Sequence, residues 1–132
     1  MYERDYAYTK VFSNSTLPDL LPRVRAALTA QGFGVLTEID VQKTLHTKLG
    51  VERKPYLILG ACNPKLAHMA LQAEAPIGVF LPCNVNLFEG EQGEVVVQTP
   101  RPSALFGLVD NAAIAPLAQE IDGMLLAALE AI

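Results

Sequence analysis

Alternating and helical periodicities divide the chain into a series of short elements. Positions 6–13 are aromatic and β-branched, with Tyr6, Tyr8, Lys10 and Phe12 on one side, which predicts a strand. A stretch dense in N-cap residues, Ser-Asn-Ser-Thr-Leu-Pro-Asp, follows. Leu17, Leu20, Leu21, Val24 and Leu28 then recur at helical spacing, and Gly32 supplies the stop. Pro22 belongs in a first turn, so the helix is expected to start at Asp19 or to kink there. Positions 33–40 alternate again, with Phe33, Val35, Thr37 and Ile39 facing one way and Leu36, Glu38 and Asp40 the other. Asp40 then caps a helix over Val41–Leu49 that Gly50 closes, with Val41, Leu45 and Leu49 as its buried stripe.

Positions 55–62 are apolar on both faces, as a central strand requires. Asn63 and Pro64 supply the cap and first position of a helix that runs to Ala75 and is ended by Pro76. Its polar stripe is Lys65, His68 and Gln72. Positions 77–88 predict a long strand in which Pro82, lacking a ladder donor, forces an edge, a bulge or a bend. Positions 89–93 read as a hairpin turn and 94–98 as the return strand. Pro100 and Pro102 break the pattern, and Ser103 caps a short helix through Val109. The stretch from Asn111 to Pro116 opens a final helix with Leu117, Ile121, Met124, Leu125 and Ala128 inward.

The element order is therefore β-α-β-α-β-α-β-β-α-α, with one hairpin among helix-connected strands. This pattern predicts a single α+β domain over 1–132, in two layers. The sheet is expected to be mixed but mainly antiparallel, with helices on one face.

Composition narrows the function classes. Hydrophobic residues make up 51% and charged residues 18% of the 132 positions, which supports a core without disulfide staples and excludes a disordered chain. A net charge of -4 argues against nucleic-acid binding, which needs a basic surface to release counterions. No run approaches the ~18 apolar residues of a membrane span, so no membrane partner is expected. The first residues mix charges of both signs instead of forming an apolar leader. Cys62 and Cys83 accordingly read as reduced thiols, and the expected compartment is the cytoplasm. Charge is unevenly spread. Residues 1–65 hold nine basic and six acidic groups, against one and eight in residues 66–132. Either these charges mix on the folded surface, the simpler reading, or they form complementary faces for self-association or for an anionic ligand.

No phosphate loop, dinucleotide fingerprint, zinc spacing or nucleophile elbow is present. The candidate chemistry lies in two related contexts, Ala-Cys-Asn-Pro and Pro-Cys-Asn-Val. If their strands are neighbours, Cys62, Asn63, Cys83 and Asn84 bring two thiols and two amides to one end of the sheet. Cys62 precedes a helix N-terminus, where the dipole favours a thiolate. Simpler roles compete. Cys83 shares a strand face with Val79, Leu81, Val85 and Leu87, as a small core residue would, and Asn63 is explained as a helix cap. His46 and His68 would complete a four-ligand zinc set, but His68 lies on the polar stripe of its helix, so no metal or cofactor is expected. Glu38 is an acid or base if buried and an ion-pair residue if exposed. The face carrying Phe80, Pro82, Asn84, Asn86 and Phe88 is half polar and half aromatic, which suits an interface or a wet pocket wall, or simply an ordinary partly exposed outer sheet face.

Three segments, Gly-Phe-Gly-Val-Leu-Thr-Glu-Ile-Asp-Val from Gly32, Pro-Tyr-Leu-Ile-Leu-Gly-Ala-Cys-Asn-Pro from Pro55 and Ile-Gly-Val-Phe-Leu-Pro-Cys-Asn-Val from Ile77, together resemble the prokaryotic domain of unknown function 302 family. The resemblance covers nearly the whole chain. It implies a small α+β domain, TATA-binding-protein-like in its strand and helix order and often homodimeric. Glu38, Asp40, Cys62, Asn63, Cys83 and Asn84 fall on its motifs. It implies no reaction, and likeness to a DNA-binding fold class does not carry over to function. The expectation is a homodimeric module that binds a small molecule or a partner. The alternative is a thiol-based redox or sulfur-handling protein using Cys62 and Cys83.

Overall fold

The computed structural model describes residues 1–132. The strands are β1 (Ala7–Phe12), β2 (Gly34–Asp40), β3 (Tyr56–Cys62), β4 (Cys83–Glu89) and β5 (Val95–Pro100). The helices are α1 (Leu17–Ala30), α2 (Val41–Leu49), α3 (Pro64–Ala73), α4 (Pro102–Leu105) and α5 (Ile114–Glu130). Two 3-10 segments cover Ala75–Phe80 and Phe106–Leu108. The strands form one sheet in the order β1-β5-β4-β3-β2, antiparallel throughout. The two-layer α+β class and the element order are as the sequence predicts.

Local signals place the helix ends. Thr16 Oγ1 accepts from the Asp19 amide at 3.2 Å, so α1 starts at Leu17, two residues earlier than the Pro22 argument predicts. Pro22 is carried inside the helix, which still buries Leu20, Val24, Ala27 and Leu28. Asp40 Oδ1 accepts from the Lys43 amide at 2.9 Å, and Gly50 closes α2 with a φ of 69°. The expected stripe on α2 forms only in part: Val41 and Leu45 are half-buried, none of its residues is fully buried, and Leu49 is exposed. At the other end of the chain Lys10 Nζ donates to the carbonyls of Glu130 and Ile132 at 3.3 and 3.1 Å, satisfying groups that the end of α5 leaves open.

Two strands differ from their sequence patterns. The run 77–88 does not form one long strand. Ala75–Phe80 coils into a 3-10 segment pinned by the buried Ile77, and β4 starts only after Pro82. Two prolines without amide donors, Pro76 and Pro82, frame this break. Val79, expected beside Cys83, is consequently 87% exposed. In β2 the register slips between Val35 and Thr37, which makes Leu36 the extra residue of a bulge. Val35 still faces the core side, but Thr37 and Ile39 turn to the opposite face and Glu38 and Asp40 replace them.

The core lies on one side of the sheet. Leu59, Val85, Leu87 and Val97 meet Leu20, Val24 and Leu28 of α1 and Ile121 and Leu125 of α5 in one continuous cluster. Full burial of each large side chain stabilises the fold by roughly 1.5–3 kcal/mol relative to exposure. The other sheet face has no helical layer. Residues 1–6 strap one part of it. Gln98 Nε2 donates to the Tyr2 carbonyl at 3.0 Å, and the Tyr2 ring stands edge-on to Phe88 at 5.6 Å. Val96 points to this face and is nevertheless fully buried.

Candidate functional site

The sheet brings the two cysteines to one end. β3 and β4 are neighbours with Ala61 opposite Cys83, so Cys62 and Cys83 stand on adjacent strands, one step out of register. Both line an apolar pocket of about 20 Å³ closed by Phe33, Leu66, Pro82 and Phe106. Burial pushes the Cys83 thiol up to about 11, with a smaller contribution from Cys62. A thiol of that acidity stays protonated at neutral pH and is a poor nucleophile. Cys62 is half-buried. Asn63 Oδ1 accepts from the Leu66 amide at 3.2 Å, which is the cap expected for α3.

Asn84 does not join Cys62 and Asn63 in that pocket. Successive strand residues point to opposite faces, so Asn84 is turned to the open side while Cys83 is turned to the core. Glu38 is also separate. The bulge turns it toward α1, where Arg25 Nη2 stands 3.5 Å from Glu38 Oε2 and both side chains are 40% exposed. This is the ion-pair role, and at that exposure the pair contributes under ~1 kcal/mol. His46 Nε2 meets Glu52 Oε1 at 3.2 Å, His68 is exposed, and no three metal-ligating side chains gather.

Two further concavities involve residues that local patterns do not single out. The first is a recess of about 140 Å³ on the open face, lined by Tyr6, Asn84, Asn86, Gln98, Pro100 and Leu105 among others. Asn86 stands directly opposite Gln98 in the ladder. Asn86 Nδ2 donates to the Tyr56 hydroxyl at 3.1 Å, and Gln98 Nε2 donates to Thr9 Oγ1 at 3.2 Å. The second is a cleft of about 520 Å³ at the end of the sheet remote from the thiols. Ser15, Thr16, Asp40, Gln42, Tyr56 and Glu89 supply its polar lining. Asp40 reads as a cap and Glu89 as a turn residue in the sequence. Their meeting depends on five separate segments converging, which no local motif records.

Residues 8–132 match the family model described as domain of unknown function DUF302. The chain belongs to the DUF302 family. The match spans Glu38, Cys62, Asn63, Cys83 and Asn84, and it leaves the whole strap outside. A crystal structure of an uncharacterized conserved DUF302 protein from Bacillus stearothermophilus is similar over 97% of this chain and 98% of that chain, with 29% identity and a TM-score of 0.89. No curated protein matches this DUF302 chain. None of its helices is long and apolar enough to cross a membrane.

Proposed function

We propose that this DUF302 domain is a binding module that works as a homodimer and takes a small molecule on the open face of its sheet. One observation carries the reading: a five-stranded sheet covered by helices on one side only. A sheet face meant only for water alternates polar residues outward. Here Ile39 is 47% exposed beside the half-buried Ile58, and both share the face with Asn84 and Asn86. Apolar edges around a polar centre suit a contact that closes over a ligand. The uneven charge of the two chain halves and the family resemblance support a second copy as the partner. Two free thiols fit a reducing compartment, the cytoplasm. Native mass spectrometry and light scattering across a range of protein concentrations test the assembly. A dimer at micromolar concentration is expected, and a chain that stays monomeric at millimolar concentration overturns it.

A second reading, thiol chemistry, is favoured by the single pocket that Cys62 and Cys83 share. Cys62 is then the attacking thiol, since burial keeps Cys83 protonated, and Cys83 acts as its resolving partner only after leaving the pocket and ionising. Alkylation of the native chain tests it. Rapid labelling of Cys62 supports this reading, and two thiols inert until unfolding exclude it.

A further inference from the structure

We propose that the recess on the open face recognises a small neutral molecule carrying two adjacent hydrogen-bond donors, the chemistry of a urea or a vicinal diol, through the side-chain oxygens of Asn86 and Gln98. The proposal rests on the small-molecule part of the reading above and adds the site and the ligand class.

Asn86 of β4 and Gln98 of β5 are direct register partners, so their side chains leave the sheet side by side on the same face. Each amide is oriented by a bond at its nitrogen. Asn86 Nδ2 is tied to the Tyr56 hydroxyl at 3.1 Å, and Gln98 Nε2 is tied to both the Tyr2 carbonyl and Thr9 Oγ1. Each amide nitrogen carries two N–H donors, both partnered at Gln98 and one partnered at Asn86, so the oxygen is the free acceptor of each side chain. The two oxygens accept from no protein group. Two acceptor oxygens on register-paired residues lining one recess fit two adjacent N–H or O–H donors.

The surroundings set the rest of the chemistry. No charged side chain lines the recess, so nothing there selects an ion. Asn84 adds a free amide at the rim, while Tyr6, Pro100 and Leu105 supply apolar surface for the ring or chain that carries the donors. A volume of about 140 Å³ equals about four or five waters at ~30 Å³ each, which sets the ligand at small-molecule size. Both oxygen-bearing residues sit on paired strands of a rigid sheet with their nitrogens tethered. Little orientational freedom is therefore lost on binding. An ordinary solvated sheet face would leave such amides free to rotate.

NMR on the isotope-labelled full-length chain tests the proposal. The titrants are 2-imidazolidinone, a cyclic urea with two N–H donors, cis-1,2-cyclohexanediol, and 1,3-dimethyl-2-imidazolidinone, which keeps the urea ring and lacks donors. The side-chain amide signals of Asn86 and Gln98 are expected to move with the first two and to stay in place with the third. Gln98→Met and Asn86→Leu keep side-chain volume and remove one acceptor each. Each is expected to weaken binding at least tenfold, in a chain whose backbone spectrum stays native. Equal shifts from the dimethylated ring, unchanged affinity in both variants, or no shift at millimolar titrant each overturn the assignment. Light scattering on the same samples separates this result from the homodimer. A monomer that binds the urea sinks only the dimer, and a dimer that ignores all three titrants sinks only the recess.

Discussion

The Tyr2 hydroxyl donates to Glu94 Oε1 at 2.7 Å, joining residues 92 positions apart. This bond fastens the strap to the β4–β5 hairpin. It shifts both partners, raising the Tyr2 phenol chiefly through the Glu94 hydrogen bond and lowering the Glu94 carboxyl chiefly through the Tyr2 bond. The lowered carboxyl contributes stability above its unfolded value near 4.3, lost as pH falls through the folded value. The raised phenol contributes stability below about pH 10, lost as pH rises past it. Ring contacts between Tyr2 and Phe88, followed by NMR, are expected to persist between those limits and to fade on either side. Tyr2→Phe should remove both pH effects and leave the rest of the sheet intact. A wild-type strap that stays docked at pH 3 and pH 11.5 contradicts this account.

Gly60 leaves no room for a side chain. A Cβ there would collide with Thr37 Oγ1 and stand 3.0 Å from Pro82 Cγ. Thr37 is short and branched, so it cannot swing away as a long side chain could, and β2 itself must give. Gly60→Ala is expected to destabilise the chain by ~1–3 kcal/mol, read from urea unfolding. The double variant Gly60→Ala/Thr37→Ala, which removes the Oγ1 clash and leaves the Pro82 contact, should recover part of the loss. Failure of that rescue removes Thr37 as the cause.

The Cys83 thiol makes stability fall with pH in a defined window. The folded chain keeps it protonated up to about 11, whereas an unfolded thiol ionises near 8.5. The contribution is therefore full below pH ~8.5 and is lost as pH rises toward the folded value. Urea midpoints at pH 7.5, 9.0 and 10.5 should decline less in Cys83→Ala than in the wild type. Parallel slopes count against the buried thiol as the source.

Ile39 tests the homodimer without touching the core. It is 47% exposed on the open face. Ile39→Lys should change stability by no more than ~0.5 kcal/mol, as exposed substitutions do. It should also shift the dimer to monomer in light scattering, by at least tenfold in Kd. An unchanged dimer in this variant places the contact elsewhere.

The parts legible in the sequence were those that close within a few residues. Asp40 and Asn63 cap their helices as their positions predict, Gly50 ends α2, and the hairpin after Glu89 returns as β5. Such features rest on hydrogen bonds between near neighbours, so residue type and spacing suffice. The neighbourhood of Cys62 and Cys83 was likewise suggested by two similar contexts. Tertiary structure alone decided the faces. A one-residue bulge at Leu36 turned Ile39 outward and Glu38 toward Arg25, and the coiling of Ala75–Phe80 moved Val79 into solvent. The facing of Asn86 and Gln98, and the cleft that Asp40 shares with Glu89, depend on strand order and register. Those are set by pairing between distant segments, where a single-residue slip reverses every side chain that follows.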